Sequence, residues 1–189
     1  MISGNGSNML SLLEELKNEP LINFSLIVSN NSSSPGLQKA QQLGYNCKVL
    51  EYRNNKKNFE RDLHSLLIRE GIHLVCLAGF MKILSLAFTR KWKKRILNIH
   101  PSLLPKFKGL NTHLRALESG EKMHGCTVHY VNERLDDGEM LDQVMVEVMK
   151  DDNPATLASK VLIEEHKLYS KVVRKLVTKE NQFLTGPSL

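Results

Sequence analysis

The chain predicts an α/β fold of the Rossmann-like, three-layer kind, with a mostly parallel central sheet and an antiparallel C-terminal hairpin. Three observations carry that reading. Short apolar runs alternate with helix-spaced stretches along the chain; Gly4-Asn5-Gly6-Ser7-Asn8 stands directly before an amphipathic helix; and Asn98-Ile99-His100-Pro101 puts two polar side chains where a strand gives way to a loop.

The elements follow in order. Ser7 is a candidate N-cap for a helix over Asn8 to Lys17, with Met9, Leu12, Leu13 and Leu16 as its buried stripe. A β-like run spans Asn23 to Ser29, and the Ser/Asn cluster from Asn30 to Pro35 is a turn. A short helix over Gly36 to Leu43 ends at Gly44, and Cys47 to Tyr52 is a strand. Phe59 to Ile68 has helical spacing, with Leu63, Leu66 and Leu67 on one side. His73 to Leu77 is a short strand of the kind buried on both faces, closed by Ala78-Gly79. After the strand holding Asn98, prolines 101 and 105 bound a stiff loop, and a helix over Asn111 to Ser119 ends at Gly120. Thr127 to Asn132 and Met140 to Val148 are the hairpin strands, and Pro154 to Thr178 is the last helix. Repeats and linkers are absent, so residues 1–180 read as one domain and 181–189 as a flexible C-terminal tail.

At 189 residues the chain is long enough to bury roughly 70% of its unfolded surface without staples. Cys47, Cys76 and Cys126 are odd in number and far apart, which fits reduced thiols and neither a disulfide framework nor a metal cluster. With neither a signal-peptide pattern nor a membrane-length apolar run, the expected location is cytoplasmic. The net charge of +6 and the run Arg90 to Arg95 around Trp92 invite a nucleic-acid reading. The other basic residues are scattered among acids, however, and zinc-finger and RNP-like motifs are missing. Small anionic substrates account better for a positive field.

In a strand, side chains alternate faces, so Asn98 and His100 leave the same side together. That places an amide and an imidazole at a strand-to-loop junction, where parallel α/β folds keep their sites. The bland alternative is a pair satisfying each other at a turn. The Gly4 to Asn8 string offers free N–H groups at a helix start, a fit for a single phosphate, although such strings are often only turns. His113, His124 and His129 lack the paired spacing of metal ligands; His129 lies on a strand that leads toward Asp136.

Taken with Ala78 to Leu84, Gly125-Cys126-Thr127-Val128-His129 and Leu135-Asp136-Asp137-Gly138, these segments make the chain resemble the folate-dependent formyltransferases. Within that group it resembles the phosphoribosylglycinamide formyltransferases, from Ile2 to about Leu176. The resemblance implies transfer of a formyl group from 10-formyltetrahydrofolate, a co-substrate, to the amine of glycinamide ribonucleotide in purine synthesis, by direct attack and with no metal. It implies Asn98, His100 and Asp136 as the catalytic trio. It also implies Gly6, Ser7 and Asn8 on the ribonucleotide phosphate, Glu165 at its glycinamide end, and Lys56, Met81, Lys82, Ile83, Leu84 and Asn98 around the folate. No nucleic-acid or membrane partner is implied, and monomer and homodimer both stay open. Methionyl-tRNA formyltransferase and formyltetrahydrofolate hydrolase share the central motif, but each is expected to carry a further domain for which 189 residues leave no room.

The residues' own chemistry agrees. Attack on a formyl carbon builds negative charge on its oxygen, which an Asn98 N–H and a protonated His100 can stabilise. A carboxylate at Asp136 is expected to raise the His100 pKa and keep it charged near neutral pH. Three departures from the resembled pattern stand out. Only Met1, Ile2 and Ser3 precede the glycine loop where the family has a full strand, so a truncated first strand and a less stable sheet are expected. Lys82 stands where arginine is common, and Asp137 stands where a small residue is usual.

Overall fold

A computed structural model describes residues 1–53 and 55–179; the expected tail over 181–189 lies outside them. The elements in chain order are α1 (Ser7–Leu16), β1 (Ile27–Ser29), α2 (Pro35–Gln42), β2 (Cys47–Val49), α3 (Lys56–Arg69), β3 (Val75–Leu77), α4 (Leu86–Lys91), β4 (Ile96–His100), α5 (Thr112–Glu118), β5 (Met123–Tyr130), β6 (Met140–Glu147) and α6 (Pro154–Lys179).

Period-two alternation divides the strand residues between two cores. Ile27, Leu97, Ile99, Cys126 and Val128 pack on α1, α2 and α6, whereas Val28, Val75, Leu77 and Ile96 pack on α3 and α4. The sheet is thus covered on both sides, the expected three layers. A fully buried leucine such as Leu63 contributes about 2–3 kcal/mol of hydrophobic burial. α4 was not evident from the sequence. It forms because Ser85 caps it through Phe88 N–H, and because Phe88 and Trp92 turn inward at helical spacing. Trp92 and Arg95 of the basic run are therefore scaffold. Trp92 is buried and donates to His64 Nδ1 at 3.1 Å, and Arg95 lies over its ring while donating to the Ile72 and His73 carbonyls.

β1 and β2 pair in parallel, as do β3 and β4. β5 then runs antiparallel to β4, and β6 antiparallel to β5, so the antiparallel part begins one strand earlier than the hairpin alone. Residues 1–3 lie between the two parallel pairs and join them. Ile2 N–H donates to the Val28 carbonyl at 2.9 Å, Ala78 N–H to the Met1 carbonyl at 2.9 Å, and Ser3 N–H to the Gly79 carbonyl at 3.1 Å. Ile2, wholly buried, makes a parallel bridge to Ser29.

Beyond Met1 the facing edges of residues 23–28 and 72–76 flank an apolar cavity of about 520 Å³. The α-ammonium of Met1 donates to the Cys76 carbonyl at 2.6 Å, and burial pushes its pKa from 8.0 to about 6. β1 and β3 are shorter than the expected strands, beginning only at Ile27 and Val75.

Candidate active site

The expected polar groups gather at the carboxyl ends of the parallel strands. The stub 1–3 delivers the chain to Gly6, whose φ of 68° is left-handed and whose open face allows the Gly36 Cα to approach. A side chain at Gly36 would meet the Asn5 carbonyl oxygen at 2.8 Å, so glycine there lets α2 close on the loop. Ser34 Oγ and Gly36 N–H both donate to the Gly4 carbonyl, and Met81 N–H donates to Ser3 Oγ at 2.9 Å. The loop is rigid and tied to the segment after β3.

Ser7 is the first residue of α1 and not its cap; Gly6 takes the cap position and offers no side chain. The first-turn N–H groups are left without a capping oxygen, and the first turn holds no acidic residue, the arrangement an anion completes. Asn8 Nδ2 donates to Glu165 Oε2 at 3.0 Å, while Asn8 Oδ1 is buried without a partner. Burial raises the Glu165 pKa, and the Asn8 bond opposes that rise. The structure thus joins two of the expected substrate residues from opposite ends of the chain.

Asn98, His100 and Asp136 converge. His100 Nδ1 lies 3.3 Å from Asp136 Oδ2, and Asn98 Nδ2 lies 3.5 Å from Asp136 Oδ1. A further Asp136 partner is Gly109, whose N–H donates to Oδ2 at 2.9 Å. Asp136 sits at φ 47°, left-handed, and Gly138 lets the loop press against β5, where any Cβ would fall 1.7 Å from the Tyr130 carbonyl oxygen. Asp136 and His100 are 9% and 5% exposed, so their interaction is shielded from water. Burial works to raise the Asp136 pKa; the Gly109 N–H bond and the facing His129 and His100 imidazoles outweigh it and hold the carboxyl below its ordinary value.

The expectation that Asp136 raises the His100 pKa is corrected. Burial dominates and lowers its pKa, although the Phe107 carbonyl and Asp136 pull the other way. Nε2 lies 3.0 Å from the Phe107 carbonyl and Nδ1 faces Asp136. A second proton on the ring therefore finds an oxygen on each side.

His129 is the fourth member of the cluster. Nδ1 donates to its neighbour's carbonyl, Tyr130 O, at 2.8 Å, leaving Nε2 to face Asn98 Nδ2 at 3.2 Å and Asp136 Oδ1 at 3.7 Å. Its strand position was the only signal in the sequence, and Phe107 and Gly109 had none, since both act through backbone groups. Of the residues expected around a folate, Met81 and Ile83 are 67% and 54% exposed in the segment after β3, and Lys82 Nζ lies 4.7 Å above the Tyr52 ring. The Leu84 side chain is instead buried with Phe59 and Phe88, and Lys56 opens α3 with no hydrogen bond or ion pair to the other site residues described.

His113 Nδ1 and His124 Nε2 pair at 3.2 Å beneath the proline-bounded loop, with Phe107 packed edge-on against His124. Among the described residues no three His, Cys, Asp or Glu side chains group as a metal donor set. No helix of the described chain is long and apolar enough to cross a membrane.

The chain belongs to the formyl transferase family, whose pattern matches residues 1–173. Among its relatives, the human trifunctional purine biosynthetic protein adenosine-3 is 42% identical over 173 residues, which cover 89% of this chain and 17% of that protein. This chain thus spans about a sixth of the length of that relative. Phosphoribosylglycinamide formyltransferase of Escherichia coli is 37% identical over 176 residues, covering 92% of this chain and 83% of that enzyme. The crystal structure of phosphoribosylglycinamide formyltransferase from Brucella melitensis superposes with a TM-score of 0.89 at 39% identity, covering 95% of this chain and 94% of the other. The family implies a folate co-substrate and small-molecule substrates.

Burial pushes the His124 pKa from 6.5 down to about 4, helped by His113, and lowers those of His64, His100, His113 and His166 as well. The folded state then binds fewer protons than the unfolded one. Stability is complete above about pH 6.5 and is lost as pH falls from there toward 4. Thermal midpoints measured across this range should fall with pH, and His124→Gln should flatten the slope; an unchanged slope counts against a neutral buried His124.

Proposed function

We propose that this chain transfers the formyl group of 10-formyltetrahydrofolate to the primary amine of glycinamide ribonucleotide, as a single cytoplasmic domain over residues 1–180. The observation that carries the reading is the shielded contact of His100 with Asp136, 3.3 Å apart, beside Asn98 and on the same strand ends as the uncapped start of α1. Family membership and relatives bearing that enzyme name support it. The first-turn N–H groups of α1, with Gly6, Ser7 and Asn8, hold the phosphate, and Glu165 meets the glycinamide end. Met81, Lys82, Ile83 and Asn98 line the folate, with Leu84 behind them in the core and Lys56 at the margin.

The amine nitrogen attacks the formyl carbon, forming the new C–N bond and moving an electron pair onto the formyl oxygen. The Asn98 N–H and the His100 imidazole stabilise that oxygen. Asp136, held anionic, accepts the proton that the attacking nitrogen sheds, directly or through one water. Collapse returns the electron pair to carbon, the bond to the folate nitrogen breaks, and that nitrogen takes up a proton. The products are the formamide and tetrahydrofolate, and no metal enters the sequence.

Folate product should form only when glycinamide ribonucleotide is present. Removing one group that stabilises the developing oxyanion costs about 10²-fold to 10³-fold in kcat, so His100→Ala should lose at least that much. Asp136→Asn should be crippled likewise, while Asp137→Asn stays within about tenfold of the parent, as expected for a charge outside the reaction. Folate turnover without acceptor, or equal losses at Asp136 and Asp137, overturns the assignment.

A further inference from the structure

Two loops close over the Asp136 carboxylate, residues 101–111 after β4 and residues 131–139 between β5 and β6. Neighbouring residues of one meet neighbouring residues of the other. Gly109 N–H donates to Asp136 Oδ2, and beside it the Lys108 ammonium donates to Asp137 Oδ1. Arg134 Nη1 stands 3.7 Å from the other Asp137 oxygen.

Both sides of this contact are braced from behind. Arg115 on α5 donates through Nη1 to the Lys108 carbonyl at 2.7 Å and the Leu110 carbonyl at 3.3 Å. Asn132 Nδ2 donates to the Asp137 carbonyl at 3.2 Å. Asp136 itself holds a left-handed φ of 47°, which a residue with a side chain keeps only when its surroundings hold it there. The carboxylate of Asp137 is directed to Lys108 and Arg134 and makes no contact with Asn98, His100 or His129. It is in no position to take the proton, yet it is one peptide away from the carboxylate that is.

We propose that Lys108 and Asp137 form a latch between the two loops that positions Asp136 against His100, making Asp137 a positioning residue for the transfer. The inference rests on the reading of Asp136 given above. Gly109 supplies one fastening through the backbone, and the ion pair supplies a second that fixes the direction of the neighbouring carboxylate. With Lys108 and Asp137 side chains 34% and 33% exposed, the second fastening is open to screening by salt and the first is not.

The test uses the whole chain with Lys108→Met, Asp137→Asn and the two combined, and the charge-keeping Lys108→Arg and Asp137→Glu. Each neutralising change should lower kcat about threefold to fivefold, the scale of a partly exposed ion pair, and leave the KM for glycinamide ribonucleotide unchanged. The double variant should be no worse than either single one, and the charge-keeping variants should recover most of the loss. Raising ionic strength should lower kcat of the parent and not of the neutralised variants. Without substrates, amide exchange at residues 108–110 and 135–138 should quicken in the neutralised variants.

Unchanged kcat and exchange in both single variants overturn the latch, as do multiplying losses in the double variant. Quickened exchange in the neutralised variants, when the parent itself transfers no formyl group, sustains the latch and overturns the reading of the reaction instead.

Discussion

Asp136 is the charge on which the site depends. A carboxylate this far from water is costly unless polar groups replace its hydration, and here they come from four places: the His100 and Asn98 side chains of β4, His129 of β5 and the backbone of Gly109. Satisfying one carboxylate therefore fixes two loops and two strands relative to each other. It explains why Asp136 accepts a left-handed conformation and why Gly138 must have no side chain against Tyr130. Such an arrangement holds its dipoles in place before any reaction begins, which is the condition for electrostatic stabilisation of developing charge.

The second constraint is the crossing at residues 1–3. Three backbone hydrogen bonds there bind β1 on one side and the segment from β3 on the other, and the same three residues carry the glycine loop at the start of α1. The anion-facing helix end and the imidazole at the end of β4 are thus mounted on one sheet. Tyr169 of α6 reinforces the mounting, with its hydroxyl 3.0 and 3.2 Å from the Leu77 and Leu97 carbonyls. Its neighbour on the same helix, Glu165, reaches Asn8. The long C-terminal helix therefore serves the sheet and the substrate end together.

Most helices were legible from periodicity alone. The stripe of Met9, Leu12, Leu13 and Leu16 lies buried as expected, and Leu63, Leu66 and Leu67 mark the inner side of α3. Strand ends were less legible, because a strand is defined by a partner that local sequence does not contain. The run from Asn23 keeps its apolar character yet pairs only from Ile27 to Ser29, where neighbours stand on both sides. α4 escaped notice for the opposite reason: residues 90–95, at its end and beyond, are all basic or aromatic, and the helix becomes clear only when Trp92 is seen inside the second core.

The amino-acid order by itself determined the fold class, the pairing of Asn98 with His100 on one side of a strand, and the segments from which the site is drawn. These follow from alternation, helical spacing and the limits that glycine and proline place on the backbone, all of which act over a few residues. Tertiary structure alone decided that His129, Phe107 and Gly109 complete the site, that Glu165 meets Asn8, and that the His100 pKa is lowered and not raised. The reason is that charge state and hydrogen-bond partners depend on how much water is removed and which groups arrive from distant parts of the chain. Burial opposed the effect of the carboxylate on His100 and outweighed it, a balance that exists only once the loops have closed.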